Sequence, residues 1–567
     1  MVILGITYVF QYNTSAVLLV DGELVAWSEE ERHIRSKHAG CVFPNNAIKY
    51  VLEKANKTIE DVDHIATTFN HVHEVSEFRS SKKYAEYVGL SSIDWYGNYP
   101  ELFVKNEGTF LEAVNDIYQW FDPDVGKRFP MHKVDRWGHH LCHAVSTVIP
   151  SGFEHTNYMT ADGDGGEDAG QLGYFDGEFH KLGYLHPLGS LGAFYSEVTH
   201  FLGFRYHSSE GKTMGLACYG TPDYDLLPIQ TFKNSDGFMQ PRVNEMKDYL
   251  WNHLQYKVRD KILEDVWCDE ARNIAATLQD CYEDIVLYNF HRLKELNYSN
   301  NICLAGGSFL NCTGNGKIAK EVDNIYIQPA SHDSGTALGA AILSHHKYTN
   351  EWPKIRMNHA YYGSEFNEEN VLEALGRHYP DGGYEKVIPE TTLPNLINQN
   401  KVVGFFQGSS EVGPRALCHR SILANPTIRE NLDRVNKIKK REWWRPLAPT
   451  IAEEYLFEIT DSKHLSPFML MACQVKEEWR DKIPAVTHVD NSCRPQSINQ
   501  EQNAIIHKAL LNFKEMSGVP VFLNTSFNID EPLVDTPDDA INTFKKSDLD
   551  FLLIEGYLVK KENNNDI

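Results

Sequence analysis

The sequence lacks the features that mark secreted or membrane-spanning proteins. Its ten cysteines include no Cys-x-x-Cys pair, and this sparse, unpaired usage in 567 residues is typical of reduced thiols in a cytosolic protein. No apolar run approaches the roughly 20 residues that cross a bilayer, and the chain opens on a strand pattern at 2–6 without a basic leader. We therefore expect a soluble cytoplasmic protein with no membrane partner.

Positive charge is also scarce. The chain has 54 Lys and Arg residues against 78 Asp and Glu residues, which gives a formal net charge of -24. Because nucleic-acid backbones are bound by a surplus of basic side chains, this balance argues against a general polyanion-binding surface. A local basic pocket remains compatible with it.

The sequence does contain a repeated strand pattern. Two apolar runs flank Asp21-Gly22, and two more flank Asp176-Gly177, which is the signature of a β-hairpin with a tight turn. Each hairpin accompanies another strand pattern, at 2–6 and at 158–162. A strand and hairpin that occur twice predict a duplicated subdomain with a cleft between the copies.

The remaining periodicity indicates helices that cover mixed sheets. Apolar residues at helical spacing predict helices over 46–56, 110–121, 272–295 and 334–347. The chain is too long for one core, so two or three domains of α/β class are expected. Turn residues interrupt the pattern between 350 and 390, and the predicted domains are therefore 1–352 and 353–567.

His139 and His143 lie four residues apart, so on a helix they face the same way and can share one metal ion. A glycine-rich loop follows Asp162, and a distant loop at 331–339 adds the carboxylate of Asp333. Nitrogen and oxygen donors of this kind suit Fe, Zn or Mn, while glycine-rich loops suit a nucleotide. A histidine pair of purely structural origin remains the alternative.

A different chemistry is indicated in the second predicted domain, where basic residues cluster. Arg415 and Arg445 each adjoin a proline, which stiffens the backbone that holds them. Rigid guanidinium groups suit bidentate phosphate binding, so the cluster predicts a local anion site. Lys437 and Lys440 in the same stretch are instead expected on a solvated helix face. Arg494 and the loop 523–528 complete the set.

Several ordered motifs resemble the O-carbamoyltransferases of the nodulation and antibiotic-tailoring type. Besides the histidine pair, the matching segments are 29–38 (EEERHIRSKH), 208–217 (SSEGKTMGLA), 306–312 (GGSFLNC), 413–417 (GPRAL), 441–449 (REWWRPLAP) and 524–528 (NTSFN). Any one motif is weak, but their common order along nearly the whole chain is specific.

The resemblance implies an actin-like ATPase (ASKHA) duplicated domain of Kae1-like type, followed by a YrdC-like α/β domain. In such enzymes the YrdC-like domain makes carbamoyladenylate from ATP and carbamoyl phosphate, with release of pyrophosphate and phosphate. The Kae1-like domain then transfers the carbamoyl group to an acceptor hydroxyl. Fe(II) or another divalent metal is implied in the Kae1-like domain, and Mg is implied with ATP.

Carried over by motif, the resemblance also assigns residues to these roles. The implied metal ligands are His139, His143 and Asp333, with Asp162 as a fourth ligand or a carbamoyladenylate contact. The residues implied to line the adenylate are Gly306, Gly307 and Asn311. The residues expected to hold ATP and carbamoyl phosphate are Arg415, Lys439, Arg445, Arg494 and Asn524.

The chain departs from the family pattern in two motifs. Family members commonly carry a His-Asp pair near the first strand, and this His is a plausible base for the acceptor hydroxyl, but Tyr12 and Asn13 stand there in this chain. An unperturbed tyrosine, with a pKa of about 10, is a poor base at neutral pH. The catalytic candidates are therefore Tyr12, Lys37 and His38, with His33 as a further possible base. Cys418 replaces the usual glycine.

The acceptor is the least determined partner. A hydroxyl-bearing small molecule such as a sugar or natural-product alcohol is expected, a modified nucleobase is less favoured, and a homodimer is possible. The aromatic-rich insert at 71–120 is either an acceptor-facing wall or ordinary packing. Two rival functions are a nucleotide-binding actin-like protein without transferase activity and a tRNA threonylcarbamoylation enzyme.

Overall fold

The computed structural model describes residues 1–7, 13–40, 42–68, 134–163, 165–166, 168–296 and 298–561. The helix predicted over 110–121 and the aromatic-rich insert lie outside the described residues, as does Tyr12. Among the described residues, mixed sheets are covered by helices, which confirms the α/β class.

A five-stranded sheet is built first, from the apolar runs near the N-terminus. Strand β1 (Val2–Thr7) pairs antiparallel with β2 (Ser15–Val20), which pairs antiparallel with β3 (Glu23–Glu29). β4 (His64–Thr68) and β5 (Val134–Trp137) extend the other edge in parallel, so the order is β3-β2-β1-β4-β5. The β2–β3 turn places Asp21 and Gly22 at φ 50° and 83°, as the Asp-Gly prediction requires.

A second five-stranded sheet repeats this topology. Strands β6 (Thr156–Ala161), β7 (Gly170–Phe175) and β8 (Phe179–Leu185) form an antiparallel meander. β11 (Asn301–Ala305) and β12 (Asn324–Ile327) continue the other edge in parallel, giving the order β12-β11-β6-β7-β8. Strand directions and order match those of the first sheet, so the repeated strand and hairpin predicted from the sequence are present.

Two helices pack together between these sheets and bring distant chain segments close. They are α3 (His139–Ser151) and α10 (Ser334–Thr349), and both are buried along most of their length. A side chain at Gly339 would collide with the backbone carbonyl of Cys142, so glycine allows the two helix backbones to approach. As a result, the first turn of α3 lies near the start of α10.

The C-terminal part forms an eight-stranded sheet of order β13 (Tyr384–Lys386), β22 (Tyr557–Lys560), β21 (Phe551–Ile554), β14 (Val403–Phe406), β15 (Arg420–Ala424), β20 (Val521–Ser526), β16 (Ala448–Ala452) and β19 (Gln496–Ile498). Its apolar core runs from Val371 to Val559. The main core of the N-terminal part is larger and also includes eight buried side chains from beyond residue 400. These are Val412, Leu417, Trp444, Ala448, Phe468, Met469, Leu470 and Met471. The boundary at 352 stays a prediction.

The other elements complete the chain. The other strands form two short pairs, β9 (Thr231–Lys233) with β10 (Met239–Pro241) and β17 (Cys473–Gln474) with β18 (Ser492–Cys493). The other helices are α1 (Glu30–Ile34), α2 (Asn45–Lys54), α4 (Leu191–Phe201), α5 (Glu210–Ala217), α6 (Val243–Tyr249), α7 (Asp260–Glu264), α8 (Asp269–Glu295), α9 (Cys312–Ala319), α11 (Glu368–His378), α12 (Pro389–Asn398), α13 (Glu430–Ile438), α14 (Leu456–Ile459), α15 (Glu477–Arg480), α16 (Ala504–Ser517) and α17 (Pro537–Lys546). A π-helix spans Leu250–Arg259, and short 3-10 turns occur at Lys37–Ala39, Ile59–Asp61, Pro187–Gly189, Gly307–Leu310 and Glu453–Tyr455.

The helices predicted over 46–56, 272–295 and 334–347 correspond to α2, α8 and α10. None of the helices in the described ranges combines the length and the apolar character that a bilayer crossing requires.

Candidate active site

The histidine pair lies on the first turns of α3, as its spacing predicts. The His139 and His143 rings are buried and stand edge to face with their centroids 4.6 Å apart. Their Nε2 atoms are 3.1 Å from each other. Two ring nitrogens on one helix face therefore converge on the same point.

Two carboxylates approach that point from other elements. Asp162 directly follows β6, and its Oδ2 lies 2.7 Å from His139 Nε2 and 3.1 Å from His143 Nε2. Asp333 precedes α10, and its Oδ1 lies 3.9 Å from each of the two Nε2 atoms. One donor atom from each of the four side chains lies within 4.8 Å of the others. All four residues assigned to the metal are thus brought together.

The donor atoms fit a divalent metal ion. Metal–nitrogen and metal–oxygen bonds of about 2.1 Å place neighbouring ligand atoms about 3 to 4 Å apart, which is the spacing found here. Burial lowers the pKa of His143 to about 3, so its ring is neutral and can donate a lone pair near neutral pH. Burial raises the pKa of Asp162, but His140 and His139 outweigh it and keep this pKa well below the usual range.

Gly306 lies beside this cluster at a position where only glycine fits. Its φ is 99°, and a Cβ atom would collide with the carbonyl oxygen of Ala161, the residue before Asp162. Gly307 differs, since a Cβ atom there would meet only the Cβ of Asp162 at 3.9 Å. The two glycines were assigned together, but only Gly306 is required by the backbone.

The substitution Gly306→Ala is therefore expected to destabilise the protein by more than about 3 kcal/mol and to shift Asp162 away from the histidines. Gly307→Ala is the matched control, and we expect it to retain wild-type stability within about 1 kcal/mol. Chemical unfolding of both variants measures the difference. Equal stabilities would contradict this account of Gly306.

Asn311 is occupied by structural hydrogen bonds. Its Oδ1 accepts from the Gly314 backbone N–H at 3.1 Å, which caps α9. Its amide also exchanges two hydrogen bonds with Gln279, at 2.9 and 3.1 Å. Its assignment to the adenylate stays a prediction, because these contacts use the amide group within the fold.

A second cluster gathers cations in the C-terminal part. Burial, followed by the charges of Arg494 and Arg445, lowers the pKa of Arg415 to about 9. Burial also lowers the pKa of Arg441, and Arg445 and Arg494 lower it further. The Nε atoms of Arg415 and Arg494 are buried without a hydrogen-bond partner in the described part of the chain. Partly buried cations that repel one another, with donors left over, suit an anionic ligand.

Lys439 adjoins this cluster from the end of α13. Its Nζ donates to Ser526 and Asn528, at 2.5 to 3.1 Å. Burial, followed by the charges of Arg441 and Arg445, lowers its pKa well below the usual range. Lys437 and Lys440 are both exposed, as predicted, but only Lys437 lies on the helix, because Lys440 falls in the turn after α13 with a φ of 49°.

Asn524 lies on β20 in a buried polar group beside the cations. Its Nδ2 donates to Thr450 at 2.9 Å and contacts the Cys418 sulfur at 3.2 Å, while its Oδ1 has no hydrogen-bond partner among described residues. Cys418 has a φ of 75°, in the left-handed region. Glycine adopts this backbone conformation readily, whereas the Cβ atom of a cysteine makes it sterically unfavourable.

The base candidates occupy different surroundings. His38 Nδ1 lies 3.0 Å from Asn13 Oδ1, and burial lowers the His38 pKa, so its ring is neutral near neutral pH. Lys37 is 39% exposed and lies 3.8 Å from Asp530. His33 is bound to Ser28 at 2.7 Å. Tyr12 is outside the described residues, so its role stays a prediction.

Sequence reasoning missed the residues that join the two clusters. Arg32 donates to Glu29 at 2.9 Å and to the carbonyl oxygen of Gly413 at 2.8 Å, while Glu29 accepts from the Gly413 N–H at 3.1 Å. Lys212 pairs with Glu442 at 2.7 Å, and Glu442 lies 3.9 Å from Arg445. All these residues fall in the ordered motifs, which was the available signal, but their partners could not be read from spacing.

Comparison with known proteins identifies the family. A sequence model described as Carbamoyltransferase N-terminus matches residues 2–342, and one described as Carbamoyltransferase C-terminus matches residues 394–561. The nodulation protein NolNO of Sinorhizobium fredii is 33% identical over 97% of this chain and 79% of its own length. The nodulation protein NolO of Bradyrhizobium diazoefficiens is 36% identical over 75% of this chain and 78% of its own length.

Solved structures offer a more distant likeness. Component A of the (R)-2-hydroxyglutaryl-CoA dehydratase from Acidaminococcus fermentans is 16% identical, with a TM-score of 0.34 over 62% of this chain and 100% of its own. The assignment rests instead on the two sequence models and on the relatives that align along most of the chain. The chain belongs to the carbamoyltransferase family.

Proposed function

We propose that this O-carbamoyltransferase works in two steps at the two clusters. At the cation cluster, ATP and carbamoyl phosphate would form carbamoyladenylate, with release of pyrophosphate and phosphate. At the histidine–aspartate cluster, the carbamoyl group would pass to an acceptor hydroxyl, and AMP would leave. The observation that carries this proposal is that one chain of carbamoyltransferase type holds both a partly buried group of cations and a compact group of metal-type ligands.

The cation cluster suits the first step because both substrates are anionic. Carbamoyl phosphate must first lose phosphate to water, which leaves carbamate, and a carbamate oxygen then attacks the α-phosphorus as pyrophosphate departs. Arg415, Arg445 and Arg494 would hold the phosphate groups and offset their mutual repulsion. Because these guanidinium groups are partly removed from water, their attraction for phosphate is stronger than at a fully exposed surface. Mg would accompany ATP.

The second step would use residues of the histidine–aspartate cluster. His139, His143, Asp162 and Asp333 would hold Fe(II) or another divalent ion, since two nitrogen and two carboxylate donors suit Fe, Zn or Mn. A metal bound there would act as a Lewis acid toward the carbamoyl oxygen. Gly306 and Gly307 would leave room for the adenylate beside Asp162.

His38 is the best-supported base for the acceptor hydroxyl. Burial lowers the pKa of His332, the residue next to Asp333, and the charge of His38 lowers it further, so the two imidazoles lie near each other. Burial also lowers the pKa of His38, which keeps the ring able to accept a proton at neutral pH. Lys37 influences the pKa of Lys439 and so lies toward the cation cluster. We assign Lys37 to anion binding at the cation cluster rather than to proton transfer.

The repeated sheets support an actin-like ATPase (ASKHA) assignment for the N-terminal part, because each copy has the same five-strand order. We propose a YrdC-like α/β unit for the part that holds the cation cluster. The acceptor proposed is a hydroxyl-bearing small molecule.

Pyrophosphate release from ATP tests the first step. The full chain, loaded with divalent metal and without an acceptor, is incubated with ATP in the presence and absence of carbamoyl phosphate. Release that requires carbamoyl phosphate is the expected result. Pyrophosphate release at the same rate with and without carbamoyl phosphate would overturn the proposed adenylation step. If no release occurs, a panel of alcohol acceptors is added, and continued absence of release would also overturn it.

A further inference from the structure

A second group of metal-type side chains lies outside both clusters. Cys218, His488 and Asp490 each place one donor atom within 4.8 Å of the other two. None of the three has a part in the proposed reaction. A thiol, an imidazole and a carboxylate at this spacing could together bind a metal ion.

The three side chains come from opposite parts of the chain. Cys218 directly follows α5, in the region that matches the N-terminal family model, whereas His488 and Asp490 fall in the region that matches the C-terminal one. The group therefore lies where these two regions meet. An ion bound there would link them.

A closed turn holds the two C-terminal residues in place. The His488 N–H donates to the Ser492 carbonyl oxygen at 2.8 Å, and the Asn491 N–H donates to the His488 carbonyl oxygen at 2.9 Å. Asn491 has a φ of 63°, the left-handed conformation that such a turn uses. Asp490 Oδ1 also accepts from the Ser492 N–H at 3.0 Å and from its hydroxyl at 2.6 Å. The ligand geometry is thus preformed on one side.

The imidazole is buried with a nitrogen to spare. The His488 side chain is only 8% exposed, and its Nδ1 lies 3.4 Å from Asp490 Oδ1. Its Nε2 is buried and has no hydrogen-bond partner among the residues that the structure describes. A buried ring nitrogen without a partner costs free energy that a bound ion would recover.

Cys218 completes the set as a protonated thiol. Burial, followed by the charge of Asp490, raises its pKa. A metal ion that binds there must displace the thiol proton into solvent as the sulfur–metal bond forms. The Asp490 carboxylate, whose oxygen lies within 4.8 Å of the sulfur, can take up that proton on its way to solvent.

We propose that Cys218, His488 and Asp490 form a second divalent-metal site, selective for a thiolate-preferring ion such as Zn²⁺, that links the two family regions. A sulfur, nitrogen and oxygen donor set is typical of zinc sites in proteins. It differs from the histidine–aspartate cluster, which contains no sulfur ligand. The site fixes the turn that leads through β18 to Arg494, so the bound ion also steadies one side of the cation cluster.

Cobalt(II) is the probe that distinguishes the two sites, because only a cysteine ligand gives the intense near-ultraviolet charge-transfer absorption of cobalt–thiolate bonds. The full chain is stripped with a chelator and titrated with Co²⁺. We expect this band in the wild type and, at saturating Co²⁺, with equal intensity in a variant that carries both His139→Ala and His143→Ala. Zn²⁺ should then displace the signal.

Cys218→Ser should abolish the band, whereas Cys268→Ser, which changes another partly buried cysteine, should keep it. Asp490→Asn preserves the thiol and tests the site if the serine variant folds poorly, and it should weaken Co²⁺ binding about tenfold or more. In the double-histidine background, Zn²⁺ should raise the melting temperature only while Cys218 is present. A wild-type protein without the band, or a band that survives Cys218→Ser, would overturn the proposal.

Discussion

Replacement of His143 by alanine is expected to abolish carbamoyl transfer while carbamoyladenylate formation continues. His143 Nε2 is 3.1 Å from both His139 Nε2 and Asp162 Oδ2, so its removal deletes a central donor of the cluster. If this cluster holds the proposed metal ion, loss of that ion should reduce transfer by about a hundredfold or more. The proposed mechanism places adenylation at the other cluster, so pyrophosphate release should stay within about twofold of wild type.

Two assays on the same variant separate these steps: pyrophosphate release from ATP and carbamoyl phosphate, and carbamoylation of an acceptor. His180→Ala is the matched control, because the exposed His180 side chain pairs with Asp176, stacks on Tyr174 and belongs to neither cluster. Metal content measured on each variant shows whether the bound metal ion was lost. If His143→Ala stopped pyrophosphate release while metal content stayed unchanged, the proposed division between the clusters would be wrong.

Replacement of Arg445 by alanine should instead stop both steps. Arg445 adjoins Pro446 and belongs to the group of guanidiniums that lower one another's pKa. Without it the site loses a partly buried positive charge, and under the proposed mechanism pyrophosphate release should fall by about a hundredfold or more. Transfer from ATP and carbamoyl phosphate should fall with it, because no intermediate forms.

Lys437→Ala provides the control for this change. Lys437 lies nearby on α13 but is exposed, so its loss alters net charge equally without touching the buried group. Initial rates at several carbamoyl phosphate concentrations distinguish weaker binding from slower chemistry. Equal losses for the two variants would show that general charge, rather than the buried cluster, governs the reaction.

The sequence allowed the local parts of this arrangement to be predicted. The Asp21-Gly22 hairpin depends on neighbouring residues alone, and the shared face of His139 and His143 follows from helix period. The exposure of Lys437 likewise follows from its place on a solvated helix. Predictions of this kind succeed because the physics that decides them acts over a few residues.

Long-range placement could not be predicted in the same way. The histidine pair and Asp333 meet because α3 and α10 pack closely at Gly339, and no spacing in the chain encodes that contact. The family resemblance supplied it instead. Neither route identified the meeting of Cys218 with the turn at His488, because its members lie far apart in sequence and outside the quoted motifs.

The shared core limits how this protein can be divided. Eight apolar side chains from beyond residue 400 fill the main core of the N-terminal part. If gene segments for residues 1–352 and 353–567 were expressed separately, each product would present that apolar surface to water, where buried area contributes about 25 cal/mol per Å². Separately made halves should therefore aggregate alone and reassociate when produced together, so the two segments are best inherited as one gene.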